Sequence, residues 1–507
     1  MASKIKSEIV SLLTQGVQQH KYNNLATAEQ MYLRVLALQP EHFDALHLLG
    51  LIHKQRGDLE QAVELIQCAL RVDNQQAIAH CNLGATFAAL GDHTSAIVCY
   101  QNALRMQPRH AITWNNQGNA LRSIGKFKEA LDSFNQAIQI KNDYAEAFFN
   151  RGITHQAEIN PSAALQDFEK ALRLRADYAE AHCARGAALL SLRNYTEALR
   201  SLNNALALKP VFPEAWCNQG IAHFRLGDFS SALANFDQAI TLQTNYAKAH
   251  QYRANTLRQL ERSAEAIVAY QTALACGGDV DQIQFALAAL GAAASPSSAP
   301  AAYVAELFDH YADHFEQHLT ENLAYTVPQQ IAAILEQHRH LLPEKICIAD
   351  VGCGTGLCAP YLKPYAKHLI GVDLSPNMLR KAGELRLYDE LICAELVAYL
   401  FPLRSQFDAI IAADVLVYIG DLSACLNAAA AALVTSGVFC FSTENSAEQD
   451  YHLQKSTRFA HHPDYIARLA GKCGFVVKQA QRVPARKEGN AHLLIDIWVL
   501  EKKCETV

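Results

Sequence analysis

The chain has 507 residues, too many for a single hydrophobic core, so two or more domains are expected. A formal net charge of −6 argues against the broadly basic surface of nucleic-acid-binding proteins, and we expect no nucleic-acid partner. The 14 cysteines occur singly, which predicts reduced thiols and no metal site. No apolar run of about 18 residues occurs and the N-terminus lacks the apolar core of a signal peptide, so we expect a cytoplasmic protein without a membrane span.

Glycines recur every 34 residues through the first half of the chain, from Gly16 to Gly220, with Ala254 completing the series. Twelve residues beyond each of these eight positions stands an alanine, from Ala28 to Ala266. Four residues further comes a large apolar residue (Tyr, Phe, Ile or Leu), and three further a small one in seven of the eight cases. This pattern predicts a repeated helix pair in which small residues allow close approach and the large residue fills the space beside them.

The pattern resembles the tetratricopeptide repeat, an antiparallel helix pair of 34 residues. We expect eight repeats between about residues 9 and 280, each 34 residues apart. Gly57, Gly91, Gly125 and Gly227 fall at turns that need a left-handed backbone. The resemblance implies an all-α superhelix whose concave groove is lined by the first helix of each repeat. With a further helix near residues 279–291, the array is assigned to residues 1–290.

Asparagine recurs two residues before the repeat glycine in four repeats, at Asn82, Asn116, Asn150 and Asn218. In the tetratricopeptide family this position faces the groove. An amide side chain offers a donor and an acceptor together and so matches a peptide unit. We therefore expect a protein or peptide partner in the groove; the alternative is that the four residues are solvated polar side chains on an exposed face.

A glycine-rich turn between two apolar runs organises the second half of the chain. Residues 346–349 lead into Asp350, glycines follow at 352, 354 and 356, and a second apolar run ends in Asp373. Strand, glycine-rich turn, helix, strand and acid make up half of a doubly wound nucleotide-binding fold. A dinucleotide fingerprint would have its third glycine one residue later, where Leu357 stands, so NAD is the weaker interpretation.

The sequence Asp-x-Gly-x-Gly-x-Gly, followed by the acid at Asp373, resembles motifs I and II of class I S-adenosylmethionine-dependent methyltransferases. The resemblance implies an α/β Rossmann-like domain with a seven-stranded sheet and an antiparallel last strand at its edge. It implies S-adenosylmethionine as the cofactor, with Asp373 accepting both ribose hydroxyls and the glycines letting the backbone approach the methionine moiety. The cofactor-binding residues that it implies are Asp350, Gly352, Gly354, Gly356, Asp373, Leu374, Met378, Glu395, Leu396 and Asp414.

Two departures from the family pattern bear on the substrate. Glu395 stands where the fold usually has an aspartate that reaches the adenine amino group, so this contact is less firmly implied. The residues after the expected fourth strand, Asp-Val-Leu-Val-Tyr at 414–418, lack the Pro-Pro motif of enzymes that methylate a planar base or a glutamine amide. That chemistry is therefore disfavoured.

Three residues are candidates for the catalytic role. Aromatic residues at helical spacing after residue 303, among them Tyr311, resemble the N-terminal cap of a bacterial methyltransferase group that also carries tetratricopeptide repeats. Residues 458–461 match an Arg-Phe/Tyr-Ala-His segment of the same group, so Arg458 and His461 are candidates for substrate contact, and His461 for a general base. For Tyr311 and His461 a structural role is the alternative.

The small-residue stretch GAAASPSSAP predicts a linker at residues 291–302, between the array and a methyltransferase domain at residues 303–507. Two functions follow. In the preferred one, the protein is a methyltransferase whose array recruits a protein or peptide acceptor, or a partner that carries the acceptor. In the alternative, it is an interaction scaffold whose methyltransferase domain acts on a small molecule or only senses the cofactor. The sequence does not identify the acceptor, the partner or the oligomeric state.

Overall fold

The computed structural model describes residues 2–317, 325–447, 450–488 and 491–504, and of residues 2, 3, 310–317, 487, 488 and 491 the backbone alone. It contains two compact units, Met1–Thr256 and Leu257–Val507. Helix pairs make up the first unit, and an α/β sheet dominates the second. The predicted fold class is therefore confirmed.

Within the described residues, sixteen helices form eight consecutive pairs, as the 34-residue period predicts. The pairs are α1 (Ala2–Lys21) and α2 (Leu25–Leu38), α3 (Phe43–Arg56) and α4 (Leu59–Val72), α5 (Ala77–Ala89) and α6 (His93–Met106), α7 (Ala111–Ser123) and α8 (Phe127–Ile140), α9 (Ala145–Ala157) and α10 (Pro161–Leu174), α11 (Ala179–Ser191) and α12 (Tyr195–Leu208), α13 (Pro213–Arg225) and α14 (Phe229–Leu242), and α15 (Ala247–Gln259) and α16 (Ser263–Ala275).

The repeat glycines allow the two helices of a pair to touch. A Cβ atom on Gly118 would lie 2.7 Å from the ring of Phe134, and one on Gly220 would lie 2.6 Å from that of Phe236. Both rings are fully buried, as is Ala130 one turn away from Phe134. The pairing of small residues with a large apolar neighbour is thus confirmed.

The turn inside each pair uses a residue with a left-handed backbone. Gly57, Gly91, Gly125 and Gly227 have φ angles of 90°, 84°, 76° and 79°, as predicted. In the other four pairs the same conformation is taken by Asn23, Ile159, Arg193 and Glu261. A non-glycine residue in this region costs roughly 1–2 kcal/mol, which the packing of the helix pair offsets.

The second unit continues with eight helices and nine strands in the part of the chain that is described. The helices are α17 (Val280–Ala289), α18 (Ala301–Gln317), α19 (Val327–Gln337), α20 (Ala359–Leu362), α21 (Pro376–Glu384), α22 (Leu396–Leu400), α23 (Ser423–Ala432) and α24 (Pro463–Lys472). The strands are β1 (Ile346–Val351), β2 (Ala366–Asp373), β3 (Glu390–Cys393), β4 (Phe407–Ala412), β5 (Leu433–Asn445), β6 (Tyr451–Leu453), β7 (Phe459–His461), β8 (Phe475–Glu488) and β9 (Ala491–Lys502).

The strands form one sheet in the order β3-β2-β1-β4-β5-β7-β6, with β9 pairing antiparallel to both β5 and β8. The seven expected strands are present, and β6 and β7 are additional short ones. The prediction that the last strand lies at the edge is wrong, because β9 lies between β5 and β8. Its side chains from Ile495 to Leu500 are buried, which an interior strand covered on both faces requires.

Apolar side chains cover both faces of the sheet. Phe439, Phe441 and Trp498 belong to the core on one face, and Ile348 and Ile411 to the core on the other. The parallel strands β1 to β4 end at the same edge, which in doubly wound sheets is where ligands bind. None of the helices in the described ranges has the length and apolar character needed to cross a membrane.

Candidate active site

A cavity of about 660 Å³ lies at the carboxyl ends of β1 to β4. Its wall is made by the glycine-rich loop after β1, by the residues that follow β2, β3 and β4, and by the first turns of α18. Sites for small molecules typically measure roughly 300–1,000 Å³. In the described residues no group of three or more His, Cys, Asp or Glu side chains could hold a metal ion.

The loop after β1 requires its glycines. Gly352 has φ 71°, and a Cβ atom on it would lie 2.2 Å from the side chain of Val415. Gly356 has φ 92°, and its Cβ atom would lie 2.8 Å from Leu385. The N–H of Gly354 donates to Asp373 Oδ2 at 2.9 Å, which fastens the loop to the end of β2. Gly352 and Gly354 line the cavity, whereas Gly356 does not and packs against the Leu385 side chain.

Asp373 is the acid that the motif predicts at the end of β2. Its second oxygen, Oδ1, accepts the N–H of Ser375 at 2.8 Å, and Ser375 in turn caps α21. Burial raises the pKa of Asp373, whereas the backbone donors at Ser375 and Gly354 lower it. Leu374 also lines the cavity, while Met378 is fully buried and does not.

Asp350 lies at the end of β1, with 1% of its surface exposed, and lines the cavity. Burial raises its pKa to about 7, and the charge of Asp373 raises it further, while the hydrogen bond from Tyr388 opposes the shift. That bond joins the Tyr388 hydroxyl to Asp350 Oδ2 at 2.6 Å. Sequence reasoning did not identify Tyr388 as a residue of the site. The only indication in the sequence is its position two residues before β3.

Glu395 and Leu396 follow β3 and line the cavity, as the resemblance implies. The Oε2 atom of Glu395 accepts the N–H of Ala398 at 2.7 Å and so caps α22. One carboxylate oxygen is thereby occupied by the backbone. The longer acid is held in place by this cap and leaves its Oε1 atom for other contacts.

Asp414 follows β4 with a left-handed backbone, φ 60°, and its N–H donates to Ser442 Oγ at 2.8 Å. Its Oδ1 accepts from Arg458 Nη2 at 2.5 Å, and its Oδ2 accepts from Arg486 Nη1 at 3.3 Å. Arg458 Nε donates to Glu444 Oε1 at 2.5 Å. Arg486 and Glu444 carry no motif that could have marked them, because the structure joins distant segments of the chain here.

Aromatic rings complete this end of the cavity. The guanidinium of Arg458 lies 5.7 Å from the ring centre of Tyr418, and the Phe308 ring meets Tyr418 edge-on at 5.5 Å. Tyr325 also lines the cavity. Tyr311 lies outside the residues whose side chains are described, so its role stays a prediction.

His461 is fully buried and is not among the cavity-lining residues. Its Nε2 lies 2.9 Å and 3.1 Å from the carbonyl oxygens of Ile419 and Gly420, and its ring stacks on Tyr465. Burial lowers its pKa to about 4, so it stays neutral and donates from Nε2. This geometry favours the structural alternative: His461 holds the loop at residues 418–421.

The same loop is held on its other side by residues of the expected linker. The N–H groups of Gly420 and Asp421 donate to the Ser297 carbonyl at 2.8 Å and 2.9 Å, and the N–H of Ala299 donates to the Tyr418 carbonyl at 2.8 Å. Residues 298–301 line the cavity. Part of the Ala/Ser/Pro stretch is therefore a wall of the site, while the domain limits themselves stay a prediction.

Three of the four repeat asparagines bind the preceding repeat. The Nδ2 atoms of Asn82, Asn150 and Asn218 lie within hydrogen-bond distance of His47 Nε2, Asn115 Oδ1 and Cys183 Sγ, at 3.0, 3.0 and 3.9 Å. Asn116 makes no such bond within the described residues. The side chains are half-buried or, for Asn218, buried, so they are not freely solvated.

Family models match both parts of the chain. A methyltransferase-domain model matches residues 349–441. Tetratricopeptide-repeat models match residues 50–91, 75–143, 149–213 and 213–246. The chain joins a tetratricopeptide array to a methyltransferase domain. The model for the methyltransferase domain covers β1 to β5 and hence the glycine-rich loop, Asp373 and Asp414.

Proteins similar to this chain include an uncharacterized methyltransferase of Schizosaccharomyces pombe, 27% identical over 176 residues that cover 31% of this chain and 59% of that protein. A ubiquinone biosynthesis O-methyltransferase of Thiobacillus denitrificans is 31% identical over 113 residues, which cover 21% of this chain and 47% of that protein. Among solved structures, PilF of Pseudomonas aeruginosa is similar at 25% identity and a TM-score of 0.39, with 42% of this chain and 97% of that chain covered. The chain spans at most about three-fifths of the length of the curated relatives that it matches.

Proposed function

We propose that the protein is an S-adenosylmethionine-dependent methyltransferase whose tetratricopeptide array recruits a protein or peptide acceptor. The observation that carries the cofactor assignment is the Asp373 carboxylate. It lies beside a bare glycine backbone at the mouth of a parallel sheet and is oriented by the N–H groups of Gly354 and Ser375.

The residues fit this cofactor. Each oxygen of Asp373 accepts one backbone N–H and retains a lone pair for a ribose hydroxyl. Gly352 and Gly354 line the cavity, and a Cβ atom on Gly352 would collide with the Val415 side chain, so the loop can take this path beside a ligand only with glycine. Asp350 and Glu395 add acidic side chains at the same end of the cavity, which suits a cationic ligand.

When bound, S-adenosylmethionine supplies a methyl group that is activated for in-line displacement. The work of the chain is then to align the acceptor and to exclude water. Water is excluded by the apolar side chains of α18 that line the cavity, Val304, Leu307 and Phe308. The ion pairs of Asp414 with Arg458 and Arg486 hold the wall after β4 in a fixed shape, which serves the alignment of the acceptor.

Calorimetry on the full chain tests the cofactor. We expect Asp373→Ala to weaken S-adenosylmethionine binding at least about tenfold, because hydrogen bonds to a charged group contribute roughly 1.5–3 kcal/mol each. Asp464→Ala is the matched control, since the Asp464 side chain is 85% exposed and lies outside the cavity. A folded wild-type chain that binds NAD in place of S-adenosylmethionine would refute the assignment.

A further inference from the structure

We propose that the methyl acceptor presents a carboxylate to the cavity, where the hydroxyl groups of Tyr325 and Tyr418 and the guanidinium of Arg458 bind it. The inference rests on the proposed function and adds the chemical class of the acceptor. It places the acceptor group beside Asp414, in the part of the cavity that is lined by the residues after β4.

Three hydrogen-bond donors in this part of the cavity have no partner among the residues that the structure describes. All of the residues that carry them, Tyr325, Tyr418 and Arg458, belong to the cavity wall. Two nitrogens of Arg458 are occupied, Nε by Glu444 and Nη2 by Asp414. Within the described ranges, neither Arg458 Nη1 nor either tyrosine hydroxyl has a hydrogen-bond partner. None of the three is a buried orphan atom, so these donors are reachable from the cavity and are available to a ligand.

The donors keep their protons. Burial raises the pKa of Tyr418 to about 12, and it raises that of Tyr325 well above its ordinary value. Burial alone would lower the pKa of Arg458, but the charges of Asp414 and Glu444 raise it, so the guanidinium stays charged. Protonated tyrosines and a guanidinium donate hydrogen bonds, and an ionised carboxylate only accepts them. The two sets of groups are therefore complementary.

The charges point to the same ligand. Glu444, Arg458, Asp414 and Arg486 form a chain of alternating ion pairs that is neutral as a whole. The cavity wall, however, includes both arginines and Asp414 but not Glu444. A carboxylate bound beside Arg458 would therefore meet a guanidinium whose second carboxylate partner, Glu444, lies outside the cavity wall.

An anionic acceptor also suits the chemistry. Both oxygens of Asp414 accept from guanidinium groups, so this carboxylate is badly placed to remove a proton from a neutral acceptor. A carboxylate needs no base: one of its oxygens attacks the methyl carbon, the C–O bond forms, and the C–S bond breaks with its electron pair going to sulfur. The products are a methyl ester and neutral S-adenosylhomocysteine, and no proton moves.

Binding to the full chain loaded with S-adenosylhomocysteine tests the proposal with two ligands of equal size, hexanoate and hexanamide. We expect hexanoate to bind at least about tenfold more tightly, since it alone is charged. Tyr325→Phe and Tyr418→Phe remove one donor each and should each weaken hexanoate binding severalfold, with hexanamide little changed. Tyr399→Phe is the control, because Tyr399 on α22 lies outside the cavity wall.

A carboxylate could also come from the methionine part of the cofactor, and a second measurement separates the two sources. Methylthioadenosine shares the nucleoside of S-adenosylhomocysteine but has no carboxylate. If the two Tyr→Phe variants weaken S-adenosylhomocysteine and leave methylthioadenosine unchanged, the donors hold the cofactor and the proposal is wrong. Equal binding of hexanoate and hexanamide, or no binding of either, also overturns it. If the folded wild-type chain does not bind S-adenosylhomocysteine at all, the proposed function itself is wrong.

Discussion

Asp350 shows how one residue of the site lowers the stability of the unit that contains it. A buried carboxyl whose pKa rises to about 7 is protonated in the folded chain at pH values where the unfolded chain is ionised. Its contribution to stability is therefore fully present below the ordinary pKa of an aspartate and is lost as the pH rises through 7. Between the ordinary pKa of an aspartate and about pH 7, the free energy of unfolding falls by about 1.4 kcal/mol per pH unit.

Asp350→Asn should consequently stabilise the second unit by about 2–3 kcal/mol more at pH 8 than at pH 5, because most of the loss falls between pH 5 and pH 7. Asparagine keeps an oxygen that can accept from Tyr388, so the packing is retained. Thermal unfolding at the two pH values measures the effect, and calorimetry should show weaker S-adenosylmethionine binding at pH 8. A gain of the same size at both pH values would show that ionisation of Asp350 is not the cause.

Among the elements, α17 has the clearest influence on the site. Phe285 is 1% exposed, and its ring contacts Tyr303 of α18 at 5.1 Å and Phe459 of β7 at 6.4 Å. The Tyr303 hydroxyl lies 2.8 Å from Thr457 Oγ1, and Thr457, with φ 65°, directly precedes Arg458. The helix that the sequence predicts to close the repeats thus supports the strand that presents Arg458.

Phe285→Ala removes the ring from this contact and should cost roughly 3–5 kcal/mol. We expect faster hydrogen exchange at the amides of Gly420 and Asp421 and at residues 457–461, measured by mass spectrometry on the full chain. Binding of S-adenosylmethionine should change little, because Asp373 and the glycine loop lie on other strands. Gln284→Ala, at the exposed neighbouring position of the same helix, is the control. Unchanged exchange in these segments would contradict the supporting role of α17.

At the scale of the whole molecule, the open matter is what the array adds to the methyltransferase domain. At the asparagine position, single substitutions can separate the bond to the preceding repeat from the proposed contact with a peptide. Asn150 binds Asn115 of the preceding repeat, which is only 5% exposed, whereas Asn116 has no bond of this kind among the described residues. The amide of Asn116 thus remains available to a peptide in the groove.

Asn150→Ala should lower the stability of the first unit by about 1 kcal/mol, because the buried Asn115 oxygen loses its donor, while Asn116→Ala should leave the unfolding curve unchanged. If the array delivers a protein acceptor, Asn116→Ala raises the KM for that protein severalfold and leaves kcat unchanged, since uniform binding is lost. A scaffold with a free small-molecule substrate predicts weaker partner capture with unaltered small-molecule methylation. Partner affinity that does not respond to Asn116→Ala would end the proposal of an asparagine-lined groove.

Sequence alone determined the features that depend on short-range spacing. The eight helix pairs follow from a period of 34 residues, because each repeat makes the same contacts with its own neighbours. Asp350, the glycine loop and Asp373 lie within 23 residues of one another along the chain (373 − 350). The loop has a left-handed backbone at its glycines, a conformation that glycine adopts most readily. Strands β1 to β5 could be predicted from the sequence because each is a short apolar run, which is also a short-range pattern.

Only the tertiary structure decided which distant segments share a wall of the cavity. Arg486 binds Asp414, which lies 72 residues earlier in the chain. The Nε2 atom of His461 donates to the carbonyl oxygens of Ile419 and Gly420, which lie 42 and 41 residues earlier. The position of β9 inside the sheet likewise depends on burial of both its faces, and alternation along the strand does not reveal which neighbours it has. The proposal that Tyr325 and Tyr418 bind a ligand also depends on the tertiary structure, because only the folded chain shows that their hydroxyls line the cavity wall without a partner among the described residues.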